Sequence, residues 1–244
     1  MEFRSAVVTG AASGIGLGIA RKFLAEGFGV FMFDISAQAL DEAAAGLRAD
    51  YPGGVFTFVG DVASERDWAS VFEAASGAFG GVGAVVNNAG IGISKWVGDL
   101  SIGEWRRVVD TNLTSVFLSA KFFGRSLSES AGAMVNIAST RAAMSERDTE
   151  AYSATKGGVV AITHALAMSL APARVNCISP GWIDNGKNSP QTQADLVQHP
   201  VGRAGFPADV AELAFFLADS EKSGFITGQN FSCDGGMTKK MIYV

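Results

Sequence analysis

Cysteine is scarce in this sequence: Cys177 and Cys233 are the only two among 244 residues. They lie far apart and match the spacing of no metal-binding or redox motif. A disulfide framework is therefore excluded, and we expect both thiols to be buried in a reducing compartment. The two histidines have no partner at a meaningful spacing either, so no metal site is expected.

The sequence also lacks a long apolar run, a basic cluster and a recognisable leader. Its apolar runs have the length of strands, whereas a membrane span requires roughly 18–20 residues. The net charge is -5, and no lysine or arginine stripe forms the footprint of a nucleic-acid binder. The N-terminus has no cleavage-site pattern. We therefore expect a cytoplasmic protein with no nucleic-acid or membrane partner.

What the sequence does contain is a regular alternation of short apolar runs and amphipathic helical patterns. Strands without polar alternation are buried on both faces, which is typical of a parallel sheet covered by helices. This order predicts an α/β, Rossmann-type, doubly wound fold with a mostly parallel seven-stranded sheet and helices on both faces. No linker interrupts it, so residues 1–244 are predicted to form one domain. The predicted strands are centred on residues 6–8, 30–33, 55–59, 82–86, 133–138, 175–178 and 230–233.

A glycine-rich turn follows the first predicted strand, in the sequence TGAASGIG. Its glycines permit a tight turn and let a pyrophosphate approach the backbone, while the following helix N-terminus favours the negative charge. A plain connection between strand and helix is the alternative, but the position after the first strand favours dinucleotide binding. The predicted binding residues are Gly10, Ser13, Gly14, Ile15 and Gly16.

Asp34 ends the second predicted strand. A carboxylate at this position accepts hydrogen bonds from the adenosine ribose hydroxyls and repels a 2′-phosphate. Ile35 follows it where a basic residue would favour a phosphate, so the sequence predicts NAD rather than NADP as cofactor. The alternative role for Asp34 is to cap the next helix, which Ser36 could do instead.

Two further strand ends carry candidate cofactor contacts. Asp61 and Val62 follow the third strand, where they would flank an adenine, although Asp61 could also cap a helix. After the fourth strand come Asn88, Ala89 and Gly90, which suit close packing against a flat ligand or a structured turn. Both groups are predicted to line the same edge of the sheet.

Tyr152 and Lys156 are spaced so that a helix would place both side chains on one face. An ammonium near a phenol favours the phenolate and lowers its pKa from about 10 toward the range useful for acid–base catalysis. Ser139 lies thirteen residues before Tyr152. Taken alone, the pair would indicate only a helix that happens to carry a tyrosine and an exposed lysine.

With these motifs assembled, the chain resembles the compact, single-domain type of short-chain dehydrogenase/reductase, from Ser5 to about Gly236. The resemblance implies that Tyr152 is the general acid/base, that Lys156 lowers the pKa of Tyr152 and binds the nicotinamide ribose, and that Ser139 holds the substrate oxygen. It implies that Asn112 orders a water for proton relay. It also implies cofactor contacts from Pro180, Gly181 and Ile183, with Asn185 standing where a threonine is expected; asparagine can both donate and accept.

The resemblance implies an NAD-dependent oxidoreductase of a secondary alcohol or ketone, such as a sugar, polyol, hydroxy-acyl compound, steroid or small alcohol. We expect a substrate lid around residues 184–202 and a homo-oligomer, a dimer or homotetramer. The C-terminal KKMIYV segment would either pack on a neighbouring subunit or form a frayed terminus. The alternatives are a 3-oxoacyl thioester reductase of the same family and a catalytically idle, dinucleotide-binding redox sensor. An enoyl reductase is disfavoured because those members space tyrosine and lysine more widely.

Overall fold

A computed structural model of the protein describes residues 4–186 and 191–241. Seven strands of these residues form one sheet in the order β3-β2-β1-β4-β5-β6-β7, and every neighbouring pair is parallel. The strands are β1 (Ser5–Thr9), β2 (Gly29–Asp34), β3 (Val55–Val59), β4 (Ala84–Asn87), β5 (Ala133–Ile137), β6 (Arg174–Pro180) and β7 (Asn230–Cys233). The predicted parallel, doubly wound sheet is confirmed.

The sheet is covered on both faces by helices. These are α1 (Gly14–Ala25), α2 (Ala37–Asp50), α3 (Glu65–Phe79), α4 (Ile102–Val109), α5 (Ser115–Ser130), α6 (Glu150–Ser169), α7 (Gln193–Val197), α8 (Pro207–Ala218) and α9 (Ser220–Ser223). One core packs α1, α2 and α8 against the sheet, and a second core on the other face includes Trp68 of α3 and Phe123 of α5. Along β1, β2, β4 and β5 the apolar side chains alternate between these two cores, which is why these strands read as continuous apolar runs.

Burial follows the position of each strand in the sheet. The inner strands β1, β4, β5 and β6 are buried throughout, whereas the edge strands β3 and β7 are partly exposed. Cys177 in β6 is buried as expected, but Cys233 at the end of β7 is only partly buried because no strand covers that edge. Both thiols are free.

The long helical stretch predicted between residues 102 and 129 is interrupted. A π-helical turn, Asp110–Thr114, separates α4 from α5 and contains Asn112. Within it the Ser115 hydroxyl donates to the Thr111 carbonyl at 2.6 Å, and the Ser115 N–H reaches back to Asp110. Such turns widen the helix and occur frequently at functional sites.

The predicted lid around 184–202 lies partly outside the described residues, since residues 187–190 are among those not described. Its described part contains the short helix α7, which Thr192 caps. Beyond it, the guanidinium of Arg203 binds the carboxylate of Asp209 through two hydrogen bonds of 2.7 and 2.8 Å. This pair fixes the end of the segment to the first turn of α8. Residues 242–244 of the C-terminal segment are likewise outside the described range.

The order of strands places a topological switch between β1 and β4. The chain winds from β1 through β2 to β3, and then returns to the other side of β1 with β4. Ligands of doubly wound folds bind where the winding reverses, beyond the carboxyl ends of the strands.

Among the described residues, no helix is long and apolar enough to cross a membrane.

Candidate active site

The glycine-rich turn after β1 is held in place by close backbone packing. Gly10 and Gly14 have positive φ angles of 62° and 54°, which suit glycine. A Cβ at Gly16 would lie 2.0 Å from the Gly10 carbonyl oxygen, so only glycine fits there. Ser13 precedes α1 and its side chain makes no capping hydrogen bond. The amide end of α1 therefore opens toward solvent, as a phosphate site requires.

Asn88, which follows β4, holds the turn after β1 in place by hydrogen bonds. Its amide nitrogen donates to the carbonyl oxygens of Thr9 and Gly10, at 2.9 and 3.2 Å. The Thr9 hydroxyl in turn accepts from the backbone N–H groups of Asn88 and Ala89, each at 3.0 Å. Of the two roles predicted for this segment, the structure shows the structured turn, and Asn88 also faces the cleft beside it.

A cleft of about 810 Å³ opens beyond the carboxyl ends of β1, β2, β3 and β4. Most residues predicted to bind the cofactor line it. They are Gly10, Ser13, Gly14, Ile15, Asp34, Ile35, Asp61, Val62, Asn88, Ala89, Gly90 and Ile183. Asn185, which stands in the sequence where the resemblance leads us to expect a threonine, lines it too. Gly16 does not line the cleft; it lies beneath the turn that does.

Asp34 is oriented toward the cleft by two backbone donors. Its carboxylate accepts from the Ala12 N–H at 2.9 Å and from the Ser36 N–H at 3.0 Å. The following helix is capped by Ser36, whose hydroxyl accepts from Ala39. At the next strand end the carboxylate of Asp61 accepts from the Ala63 N–H at 2.9 Å while still lining the cleft.

The cleft contains residues that the sequence did not point to. They are Gly60, Ala63, Ile91, Gly103, Arg106, Arg107, Asp110 and Thr111. Five of them belong to α4 or to the π-helical turn after it. Those two elements do not follow a strand directly, so the rule that functional residues succeed strands could not have found them. The exposed arginines Arg106 and Arg107 bring positive charge to this wall of the cleft.

A second cavity of about 340 Å³ adjoins the cleft and shares Ile15, Asn88, Gly90, Ile91 and Ile183 with it. Ser139, Tyr152 and Lys156 line this cavity together with Pro180 and Gly181. Helix α6 presents Tyr152 and Lys156 on one face, and Ser139 follows β5 directly. Residues far apart in the sequence are thus brought together at the inner end of the cleft.

Burial controls the electrostatics of the pair on α6. Lys156 is 3% exposed and donates to the Ile137 carbonyl oxygen at 2.8 Å. Burial lowers the pKa of Lys156 from 10.5 to about 8, and a small influence of Cys177 opposes it. Burial also raises the pKa of Tyr152 above its usual value, while hydrogen bonding with Ser139 and the charge of Arg141 act in the opposite direction.

The expected lowering of the Tyr152 pKa by Lys156 is therefore absent in the free protein. The Lys156 ammonium lies 5.4 Å from the centroid of the Tyr152 ring and is bonded to a backbone carbonyl. The i,i+4 spacing brings the two side chains together as predicted. It does not determine how much water is excluded, and here exclusion of water is the larger influence on the phenol.

Asn112 lies behind the cavity rather than in its wall. Its amide nitrogen donates to the Ile91 carbonyl and the Thr155 hydroxyl, at 2.9 and 3.0 Å, and its amide oxygen accepts from the Ile91 N–H at 2.8 Å. A Cβ built on Gly90 would lie 3.3 Å from the Asn112 oxygen and 3.4 Å from the Lys156 ammonium. Asn112 and Lys156 thus flank Gly90, and the side chain of Asn112 joins the segment after β4 to Thr155 of α6.

Comparison with known proteins gives consistent matches. A family model described as enoyl-(acyl carrier protein) reductase matches residues 10–238. An uncharacterized oxidoreductase of Thermotoga maritima is 44% identical over 255 aligned positions, covering 100% of this chain and 99% of that protein. The NADP-dependent (R)-specific alcohol dehydrogenase of Lentilactobacillus kefiri is 35% identical, with 98% of each chain covered. The structure of an apo SCOR enzyme from Clostridium thermocellum superposes with a TM-score of 0.89 at 37% identity, covering 100% of this chain and 96% of the other.

Proposed function

The chain belongs to the short-chain dehydrogenase/reductase family of oxidoreductases, and from that premise we propose that it transfers a hydride between NAD and a secondary alcohol or ketone. The observation that carries the proposal is the adjacency of two cavities. Ser139, Tyr152 and Lys156 line the smaller one, Asp34 and the glycine-rich turn line the larger one, and five residues belong to both. A nicotinamide cofactor extending from Asp34 to the shared residues would present its reactive ring to Tyr152.

The residues of this chain supply binding and proton transfer in the proposed reaction. The nicotinamide cofactor supplies the hydride when it is bound. Tyr152 exchanges a proton with the substrate oxygen, and the Ser139 hydroxyl holds that oxygen by a hydrogen bond. Lys156, with a pKa of about 8, is mostly protonated at neutral pH and donates to the cofactor ribose. Asn112 takes part by fixing the segment beside Lys156, where a water would carry the proton onward.

The preference for NAD rests on the carboxylate of Asp34. Two backbone N–H groups hold it against the cleft, so a 2′-phosphate would meet a fixed negative charge. The Lentilactobacillus kefiri relative is NADP-dependent, which makes the cofactor a point on which relatives of this chain can differ. Arg106 and Arg107 are the basic side chains of the described cleft, and they belong to α4 rather than to the segment that follows Asp34.

A 3-oxoacyl thioester reductase within the same family is the second candidate. The description of the matching family model favours acyl substrates. The four-residue spacing of Tyr152 and Lys156 disfavours an enoyl reductase but suits the reduction of a 3-oxo group. A redox sensor would need only the cleft, and it would gain nothing from the second cavity.

We also propose that the protein is cytoplasmic and forms a homo-oligomer, a dimer or tetramer.

Replacing Tyr152 with phenylalanine tests the assignment of the acid/base. Tyr152→Phe should abolish turnover of secondary alcohols and ketones while binding of NADH, followed by fluorescence, stays nearly intact. Tyr51→Phe, at the end of α2 and remote from both cavities, is the matched control and should keep full activity. Retained turnover in Tyr152→Phe would contradict the assigned role.

Replacing Asp34 tests the cofactor preference separately. Asp34→Ala should weaken NAD far more than NADP, because it removes the ribose contact and the charge that opposes the phosphate together. Asp50→Ala, which removes an exposed carboxylate at the end of α2, should leave both affinities unchanged. A wild-type enzyme that already prefers NADPH would show that Asp34 does not select the cofactor.

A further inference from the structure

A third cavity, of about 420 Å³, lies on the other side of Ser139 from the cofactor cleft. Ser139 lines both this cavity and the one that contains Tyr152. The third cavity sits at the carboxyl ends of β5, β6 and β7, where Ser179 and Ser232 are paired in the sheet register. A substrate whose oxygen is held at Ser139 and Tyr152 would therefore reach this space by extending only a short way from that oxygen.

The walls of the third cavity combine apolar side chains, among them Ala142, Ala143 and Met144, with a set of polar groups. The Ser179 hydroxyl donates to the Asn230 side chain at 2.8 Å, which leaves the amide nitrogen of Asn230 available as a donor. Hydroxyl groups of Thr140 and Ser232 and the amide of Gln198 also line it. Ligand pockets are usually apolar with few polar groups. A cavity with this mixed lining is suited to a ligand that has an apolar stem and a polar end.

The charge of this cavity has one sign. Lys239 and Lys240 line it, and no aspartate or glutamate of the described residues does. The Lys240 ammonium is fixed by a hydrogen bond of 2.5 Å to the Val197 carbonyl, at the end of α7. In a protein with net charge -5, two lysines facing one cavity beside Ser139 are a local reversal of the overall charge.

The segment that carries the lysines is anchored rather than frayed. The carboxylate of Asp234 accepts from the Gly236 N–H at 3.0 Å, from the Thr238 N–H at 2.9 Å and from the Thr238 hydroxyl at 2.6 Å. These bonds hold the short turn Met237–Lys239 against the end of β7. The lysines are therefore presented to the cavity by a built element.

We propose that the third cavity binds the far end of the substrate and that this end is polar and anionic, so that the substrate is a hydroxy acid or its oxo acid. This inference rests on the proposed oxidoreductase function and names its substrate class. Ser139 and Tyr152 hold the reacting oxygen, the mixed lining of the cavity receives the middle of the chain, and Lys239 and Lys240 receive the carboxylate.

The test compares straight-chain methyl ketones that end in a carboxylate with neutral methyl ketones of the same length. Wild-type enzyme should show the higher kcat/KM for the oxo acids. Lys239→Gln/Lys240→Gln should lower kcat/KM for the oxo acids by roughly tenfold, as expected for two partly exposed charge pairs, mainly through KM. The neutral ketones should react unchanged. Lys239→Arg/Lys240→Arg should retain the preference.

The matched control is Arg48→Gln/Lys222→Gln, which removes two exposed positive charges that do not line this cavity. It should leave the preference intact. Equal kcat/KM for charged and neutral ketones in the wild type, or an equal loss on both in the Lys239/Lys240 variant, would overturn the inference while leaving the oxidoreductase function in place.

If neither class of ketone is reduced, the proposed function fails and calorimetry still decides the inference. Binding of the oxo acid by the wild type but not by Lys239→Gln/Lys240→Gln would support the anionic subsite. Equal binding by the two proteins, or none by either, would overturn it.

Discussion

Replacement of Lys156 with methionine should make the free protein more stable at neutral pH while abolishing its activity. Lys156 is buried, and its pKa is lowered from 10.5 to about 8 mainly by burial. At roughly 1.4 kcal/mol for each pKa unit, this lowering of the pKa means that burial of the charged lysine destabilises the folded protein by about 3 kcal/mol. Methionine has a similar length, fills the same space and carries no charge.

One interaction offsets part of this gain. The Lys156 ammonium donates to the Ile137 carbonyl. Removing this donor takes a hydrogen bond away from a buried carbonyl oxygen, which costs about 1 kcal/mol or more. The net increase in the free energy of unfolding is therefore expected to be about 2 kcal/mol. For a chain of this length, that corresponds to a rise in Tm of roughly 4–8 °C.

The pH dependence identifies the cause of the gain. A lysine whose folded pKa lies below its unfolded pKa destabilises the protein fully below about pH 8, and this penalty is lost as the pH rises toward 10.5. About 2 kcal/mol of the penalty should be gone at about pH 9.5. The difference in stability between Lys156→Met and the wild type should therefore nearly vanish there.

The assay is equilibrium urea unfolding of the cofactor-free proteins at both pH values and at a fixed protein concentration, since oligomers unfold in a concentration-dependent manner. Lys222→Met, which replaces a lysine with an exposed side chain, is the control and should change the stability by no more than about 0.5 kcal/mol at either pH. A Lys156→Met protein that is less stable than the wild type at neutral pH, or a difference that does not shrink with pH, would refute the reasoning.

Three further predictions follow from packing and burial. Gly16→Ala should prevent cofactor binding and destabilise the fold because a Cβ there meets backbone, whereas Gly46→Ala, in α2 with open space around it, should stabilise the protein by roughly 0.5–1 kcal/mol in urea unfolding. Arg174→Leu should cost about 3 kcal/mol in the same assay, since its buried guanidinium donates to three carbonyls and the Ser223 hydroxyl; a neutral effect would contradict this. The kcat/KM for alcohol oxidation should increase with pH into the alkaline range because the pKa of Tyr152 is raised, and a profile that is flat above pH 8 would contradict it.

The fold and most of the lining of the larger cleft could be predicted from the sequence because parallel strands end at one edge of the sheet. Each residue placed directly after a strand then shares that edge with the others, as Gly10, Asp34, Asp61 and Asn88 do. Their proximity follows from topology alone. Their hydrogen bonds do not follow from topology. Asn88 donates to the turn after β1, and no spacing in the sequence indicates that these two segments are bonded.

What could not be predicted depends on how elements pack across each other. Arg106 and Arg107 reach the cleft because α4 lies over it, and the π-helical turn around Asn112 arises within a stretch that reads as one continuous helix. The cavity behind Ser139 is closed by residues of β7 and of the segment after it, nearly a hundred residues further along the chain. Periodicity identifies such elements but does not determine where they meet.

The protonation state of the free site follows from the same burial that costs stability. Exclusion of water lowers the pKa of Lys156 and raises that of Tyr152, so it favours the neutral form of each. At neutral pH the phenol keeps its proton, and the ammonium, with a pKa of about 8, is mostly charged. A site in this state holds a proton ready for a ketone oxygen, whereas oxidation of an alcohol first requires the phenol to ionise.

Among the groups that lower the pKa of Tyr152, the structure identifies Ser139 and Arg141 rather than Lys156. The segment after β5 therefore contributes to the acidity of the phenol as well as to the proposed binding of the substrate oxygen.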